Sequence, residues 1–161
     1  MLQADVRVVQ TELGTVLEHI ELDEMANELF LFHGLPTSTV PMVANSGFDE
    51  RVAKTRGLYG AGIYLTDKWC KALQYCDQKY PKHILHCRAV IGEPYYVKDG
   101  DNFRDLCRPP CRTAAGQGAI FDNIIAQPGV SNCSGRRQLH REFVLFDRKS
   151  VYPEFVIELS C

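Results

Sequence analysis

Leu31-Phe-His-Gly34, Gly60-Ala-Gly-Ile-Tyr64 and Arg141-Glu-Phe-Val-Leu-Phe-Asp147 are the three runs on which the reading of this chain turns. Each is short, apolar and strand-like, and each presents one polar residue at an edge: His33, Tyr64 and Glu142. A histidine, an aromatic ring and a carboxylate form a minimal set for holding a ribose, stacking a heterocycle and stabilising a developing positive charge. Each also has a plain structural reading when taken singly. A histidine at a strand end, a tyrosine within Gly-Ile-Tyr-Leu and a carboxylate before an apolar strand all occur in ordinary cores and sheet edges.

Outward from these runs, the first 28 residues carry the weakest pattern. Val6-Arg-Val-Val9 is strand-like, and residues 16–28 mix helix formers without one apolar face. Leu29 to Phe32 reads as a buried strand ending at His33-Gly34. Residues 38–46 suit a short helix with Ser38 or Thr39 as cap, Pro41 in its first turn and Gly47 at its end. A loop from Phe48 to Gly62 leads into a short strand, Ile63-Tyr-Leu65. Thr66 or Asp67 is then the expected cap of a helix running toward Tyr80 and stopped by Pro81. On that helix Trp69, Leu73, Cys76 and Tyr80 fall at i, i+4, i+7 and i+11, a stripe facing the core, with Lys71 and Tyr75 off it.

The second half reads as strands over 84–91, 95–98, 119–126, 142–147 and 155–159, with Asp147-Arg-Lys-Ser150 as a turn. Strands in runs, with few helices between them, argue against a doubly wound parallel sheet. The expected class is therefore α+β, with mainly antiparallel sheets packed around a cleft. Gly60-Ala-Gly62 and Gly116-Gln-Gly118 are only fragments of a dinucleotide fingerprint and lack its third glycine and following helix.

At 161 residues the chain is the size of one domain able to bury a core, and 45% hydrophobic with 24% charged residues places it among globular sequences. A net charge of −2 gives no global basic field. Arg136, Arg137, His140 and Arg141 form a local basic cluster, which a solvated loop also explains. No apolar run approaches the roughly 20 residues that span a bilayer, and the first residues lack a signal pattern, so no membrane partner is expected. The seven cysteines are odd in number and contain no Cys-x-x-Cys pair. Cys107 and Cys111 have a spacing that could serve zinc, but no second compact pair completes a tetrahedral set. Reduced thiols, an intracellular location in cytoplasm or nucleus, and no bound metal are the expectations.

In order and with their flanks, the three runs resemble the core of the poly(ADP-ribose) polymerase-like ADP-ribosyltransferases. Asn27-Glu-Leu-Phe-Leu-Phe-His-Gly34, Gly47-Phe-Asp-Glu-Arg51, Tyr59-Gly-Ala-Gly-Ile-Tyr64, Cys87-Arg-Ala-Val-Ile-Gly92 and Val151-Tyr-Pro-Glu-Phe-Val-Ile157 each look like a family segment, several closest to tankyrases. Phe121-Asp-Asn123 is similar to a segment of mono-ADP-ribosylating relatives that leads into the loop covering NAD. The resemblance implies an ADP-ribosyltransferase-like fold and an enzyme that moves ADP-ribose from NAD, its substrate, to an acceptor. It implies roles too. Gly34 would offer its backbone to the nicotinamide carboxamide, His33 would bind the adenine-side ribose, and Tyr64 and Tyr75 would sandwich the nicotinamide. Glu142 would hold the nicotinamide ribose and stabilise the oxocarbenium-like transition state. Ala72, Arg51 and Phe121 complete the implied NAD-binding set.

The departures from the family pattern are specific. Ala72 stands where many members have a serine that donates to the carboxamide, a loss of about 0.5–1.5 kcal/mol in binding. Leu35 stands where Ser or Thr follows His-Gly, and the cysteine-rich zinc insert of tankyrases is absent. With 32 residues before His33, the chain is expected to be a single catalytic domain over residues 1–161, monomeric, without a helical regulatory domain and active without DNA breaks. The expected acceptor is protein, modified with one unit or a short chain. The alternatives are nucleic-acid ends or bases, suggested by the basic cluster, and a catalytically weak module that binds NAD or ADP-ribose, suggested by Ala72 and Leu35. An RNA 2′-phosphotransferase of related fold would want basic residues where this chain has Glu142.

Overall fold

A computed structural model describes residues 5–12, 14, 21–49, 57–113, 118–131 and 134–160. Two four-stranded sheets carry the fold. The first contains β1 (Asp5–Gln10), β2 (Glu28–Leu35), β4 (Lys82–Val90) and β8 (Val151–Ser160), ordered β1-β8-β4-β2 and antiparallel throughout. The second contains β3 (Ile63–Leu65), β5 (Pro94–Tyr96), β6 (Asn123–Ala126) and β7 (Glu142–Leu145), ordered β3-β7-β6-β5. Only the β5–β6 pair within it is parallel. The helices named among the described residues are short: α1 (Val40–Ser46) and α2 (Trp69–Ala72), with 3-10 turns at Thr37–Thr39, Leu73–Tyr75 and Arg148–Ser150. This is the α+β architecture expected from the sequence.

Alternation explains how the sheets meet. Successive side chains of a strand point to opposite faces, so Leu31 and Leu35 of β2 share one face with each other, as do Phe143 and Leu145 of β7. These residues, with Leu85, Cys87 and Ala89 of β4, Ile63 and Leu65 of β3, and Ile125 of β6, fill the space between the sheets. Leu35 is thus a core residue, where a polar side chain would have needed a partner. Val144, Ile124 and Ala126 face the other way, into a second cluster with Tyr59 and Val97. Both faces of β6 and β7 are therefore buried, which is why these strands read as continuous apolar runs.

Backbone bonds stitch the edges of the two sheets together beside the site. Phe32 of β2 and Thr66, just beyond β3, exchange backbone hydrogen bonds of 2.8 and 3.0 Å. This bridge brings the strand carrying His33 against the strand carrying Tyr64.

Several element boundaries differ from the sequence expectation. The helix after β3 does not run to Tyr80: α2 and its 3-10 turn end at Tyr75, and Cys76 is extended. Long-range bonds take the chain over at that point. Cys76 Sγ donates to the carbonyl of His83 at 2.9 Å, and Asp77 accepts from the Thr37 amide at 2.8 Å. The i to i+11 stripe accordingly does not exist: Trp69 is 57% and Tyr80 49% exposed, while Ala72 is 2% exposed. The cap position is Lys68, whose amide donates to the Thr66 hydroxyl at 3.2 Å.

β8 begins at Val151, earlier than expected, and carries Pro153 inside it. The register with β4 shifts between His86 and Cys87, next to the Cys87–Pro153 pair, and such an irregularity tolerates a residue without an amide donor. β6 starts only at Asn123, because Asp122 bends the chain by accepting from the Glu93 amide at 2.7 Å. β5 stops at Tyr96, and Lys98 and Asp101 close a turn behind it.

An ion pair is buried in the first sheet. Arg88, 4% exposed, places Nε 2.9 Å from Glu154 Oε1 and Nη1 3.3 Å from Glu28 Oε2, with its guanidinium 5.2 Å from the Phe30 ring. Glu154 is also 4% exposed, so removing the cation strands its carboxylate away from water. Arg88→Met should therefore destabilise the fold by about 3–5 kcal/mol in urea unfolding, far more than an exposed ion pair would.

Candidate functional site

A cleft opens where the sheets join, and its walls come from β2, the end of β3, β7, α2 and the turn after it. Of the residues expected from the sequence, His33, Gly34, Tyr64, Ala72, Tyr75 and Glu142 all line it. Phe121 does not. Its ring packs edge-on against Tyr95 at 5.3 Å, with the Arg112 guanidinium 5.7 Å away. Arg51 lies outside the described residues.

His33 sits inside β2 on the side that faces the second sheet. Its Nδ1 lies 2.7 Å from the carbonyl oxygen of Tyr64, a group that can only accept, so Nδ1 carries the proton. Burial holds the imidazole below its usual pKa, and the bond to the Tyr64 carbonyl offsets this only in part. The neutral ring therefore keeps Nε2 as an acceptor. Phe48 meets the ring edge-on at 5.0 Å and limits its rotation.

Tyr64 is locked through its hydroxyl, which donates to the Gly60 carbonyl at 2.8 Å and accepts from the Tyr59 amide at 2.9 Å. The loop closes so tightly that a Cβ on Gly57 would fall 2.1 Å from this hydroxyl. Burial, above all, raises the phenol pKa, so the ring stays neutral. Because the hydroxyl is engaged, what Tyr64 offers the cleft is its ring.

Glu142 opens β7 and is 4% exposed. Its Oε1 lies 2.9 Å from Lys71 Nζ and 3.5 Å from the Tyr75 hydroxyl. Lys71 also stands 5.0 Å from the Tyr75 ring centroid. Burial pulls the Lys71 pKa down, but Glu142, helped by Tyr75, outweighs it, and the net shift is upward. Lys71 is thus held as a cation against the carboxylate. Sequence reasoning placed Lys71 only as a residue off a helical stripe. Its spacing of four from Tyr75 on a helical segment was the available signal.

Gly34 has a structural reason for its missing side chain. A Cβ there would fall 1.8 Å from the Ala72 carbonyl oxygen, so α2 can lie on β2 only over a glycine. The close approach buries Ala72 and brings Lys71 and Tyr75 over the cleft. The basic cluster near Glu142 is dispersed by the fold. Arg141 donates from Nε to Gln127 at 2.8 Å and from Nη1 to Asp67 at 3.2 Å. Arg137 pairs with Ser131 in an isolated bridge, and Arg136 lines a separate recess with Leu58, Arg104 and Ser134. Cys70, Cys76, Cys87 and Cys107 are free thiols.

Comparison with known proteins adds to this geometry. The family profile described as "Poly(ADP-ribose) polymerase catalytic domain" matches residues 5–161. Protein mono-ADP-ribosyltransferase PARP12 of Homo sapiens is 28% identical over 139 residues, which are 83% of this chain and 17% of that protein. The protein of the same name from Mus musculus is 27% identical, with the same shares of 83% and 17%. Poly [ADP-ribose] polymerase tankyrase of Caenorhabditis elegans is 29% identical over 72 residues, 42% of this chain and 3% of that protein. The matched region is thus a small part of each of these relatives. With one profile spanning nearly all of the sequence, and with His33, Tyr64 and Glu142 gathered in one cleft, the chain belongs to the poly(ADP-ribose) polymerase catalytic domain family of NAD-dependent ADP-ribosyltransferases.

Proposed function

We propose that this domain transfers ADP-ribose from NAD to protein side chains, as single units or short chains, and releases nicotinamide. The observation that carries this reading is the buried Glu142 carboxylate, held by Lys71 and Tyr75 within the cleft that Tyr64 and His33 also line. The bond between the ribose C1′ and the nicotinamide nitrogen breaks, and its electron pair leaves with the neutral ring. Positive charge grows on the ribose, as in glycoside cleavage. A carboxylate in a water-poor cleft stabilises that charge strongly, and it is the group placed to take the proton of an attacking acceptor hydroxyl.

In this reading His33 accepts a ribose hydroxyl at Nε2 and Gly34 meets the carboxamide through its backbone. Tyr64 and Tyr75 hold the nicotinamide between their rings, an arrangement favoured while that ring is cationic. The PARP12 proteins are named mono-ADP-ribosyltransferases, which favours single units. Ala72 supplies no donor, so the carboxamide is held more weakly than by a serine.

A second reading concerns the acceptor. The recess lined by Leu58, Arg104, Ser134 and Arg136 adjoins Tyr59, whose amide holds the Tyr64 hydroxyl, and its two guanidinium groups suit a phosphate. Nucleic-acid ends are the acceptors that would use it. Against this, Arg141 is taken up by Gln127 and Asp67.

Three outcomes are expected. Glu142→Gln keeps the shape of the side chain and should lower nicotinamide release from labelled NAD by about 100-fold or more, with the folded state retained by circular dichroism. An unimpaired variant contradicts the role given to Glu142. The KM for NAD should be flat above pH 6.5, the ordinary imidazole value, because the lowered pKa keeps His33 neutral there. It should rise only as pH falls below that value and Nε2 gains a proton, turning from acceptor to donor. Finally, labelled NAD offered separately with protein, DNA and RNA should label protein; label on phosphate-ended strands alone would shift the acceptor to nucleic acid.

A further inference from the structure

We infer that Thr66 is the anchor that holds His33, Tyr64 and Glu142 in one frame, with Arg141 as the clasp through which it acts on Glu142. The inference rests on the transferase reading of the cleft. Thr66 lies two residues after Tyr64 and is 3% exposed. Its backbone exchanges hydrogen bonds with Phe32, the residue before His33, at 2.8 and 3.0 Å. Its hydroxyl donates to the carbonyl of Arg141, the residue before Glu142, at 2.9 Å. The same oxygen accepts from the Lys68 amide at 3.2 Å, at the entry to the helix that carries Lys71 and Ala72. One residue therefore ties together every backbone segment that supplies the cleft.

Arg141 extends the tie across the sheet. Its Nε donates to Gln127 Oε1 at 2.8 Å, just past the end of β6, and its Nη1 donates to Asp67 Oδ2 at 3.2 Å, beside Thr66. β7 lies between β3 and β6, so the carbonyl and guanidinium of Arg141 clasp the strand ends on both sides of Glu142. Glu142 is the first residue of β7, where the ladder alone would leave it poorly held. Reactive groups displaced by about 1 Å lose on the order of 100-fold in rate, so a clasp at this point bears directly on turnover.

The test compares variants that differ only in the anchor. Thr66→Val keeps the branched shape and removes the hydroxyl, whereas Thr66→Ser keeps the hydroxyl. Thr66→Val should lower kcat for nicotinamide release by about 10- to 100-fold and leave the KM for NAD within about threefold, because the displaced carboxylate acts in the transition state. Thr66→Ser should restore kcat to within about threefold of the parent. Arg141→Met, which keeps the carbonyl that Thr66 binds and removes only the guanidinium bonds to Gln127 and Asp67, should fall like Thr66→Val, and the double variant should lose less than the product of the two single losses, since both sets of bonds hold the same strand end. Carbon-13 NMR of side-chain-labelled glutamate, with the Glu142 signal assigned by Glu142→Gln, gives a readout apart from activity. Thr66→Val should move that signal and Thr66→Ser should leave it in place. A parent protein without transferase activity overturns the proposed function, while the NMR signal still tests the anchor. Parent-like kcat with an unmoved signal in Thr66→Val, a change confined to KM, or additive losses in the double variant would each overturn it.

Discussion

The mutual backbone hydrogen bonds between Phe32 and Thr66 are the constraint on which the rest of this structure depends. Each sheet satisfies its own strands, but a cleft needs the two sheets held edge to edge at a defined spacing. The bridge does this with the most directional groups available, a pair of amides and a pair of carbonyls. It lies one residue from His33 and two from Tyr64, so the spacing of the sheets and the spacing of the site are one quantity. Apolar packing between the sheets supplies the driving force. It cannot by itself choose the register, because dispersion and burial are not directional.

The electrostatics follow from how little water reaches the cleft. Glu142 is kept with a cation at 2.9 Å, since a carboxylate withdrawn from water needs such a partner. Lys71 meets that need and is in turn held charged by it. His33, placed where charge would be expensive, stays neutral with Nδ1 committed to a backbone carbonyl. The site thus presents one fixed acceptor nitrogen, one paired carboxylate and two aromatic rings. This division of labour suits a substrate whose ribose must be gripped while its cationic ring departs.

Much of this was legible along the chain. The apolar runs around Leu31, Leu85 and Phe143 announced strands, and the order of the three polar edge residues picked out residues that line one cleft. The helix after Thr66 was misjudged because its apolar residues happen to fall at helical spacing. What ends it is a pair of bonds to residues far away in sequence, Cys76 to His83 and Asp77 to Thr37. The last strand was read only from Phe155, yet it starts at Val151 and carries Pro153 beside the register shift. Lys71 went unassigned, since nothing local says that a lysine on a short helix will meet a carboxylate 71 residues later.

Local chemistry, then, was enough to name the strands, the family and the polar residues at their edges, because periodicity and motif order are properties of neighbouring residues. Which of those residues share a cleft is a matter of distances between segments remote in sequence. Gly34 shows the difference: its position in the motif is visible in the chain, but its reason, the Ala72 carbonyl that would fall 1.8 Å from a Cβ, exists only after α2 has docked. Thr66 shows it again. In the sequence it is a candidate helix cap, and in the folded protein its hydroxyl binds the carbonyl next to Glu142, because packing of two sheets brings those segments within hydrogen-bond reach.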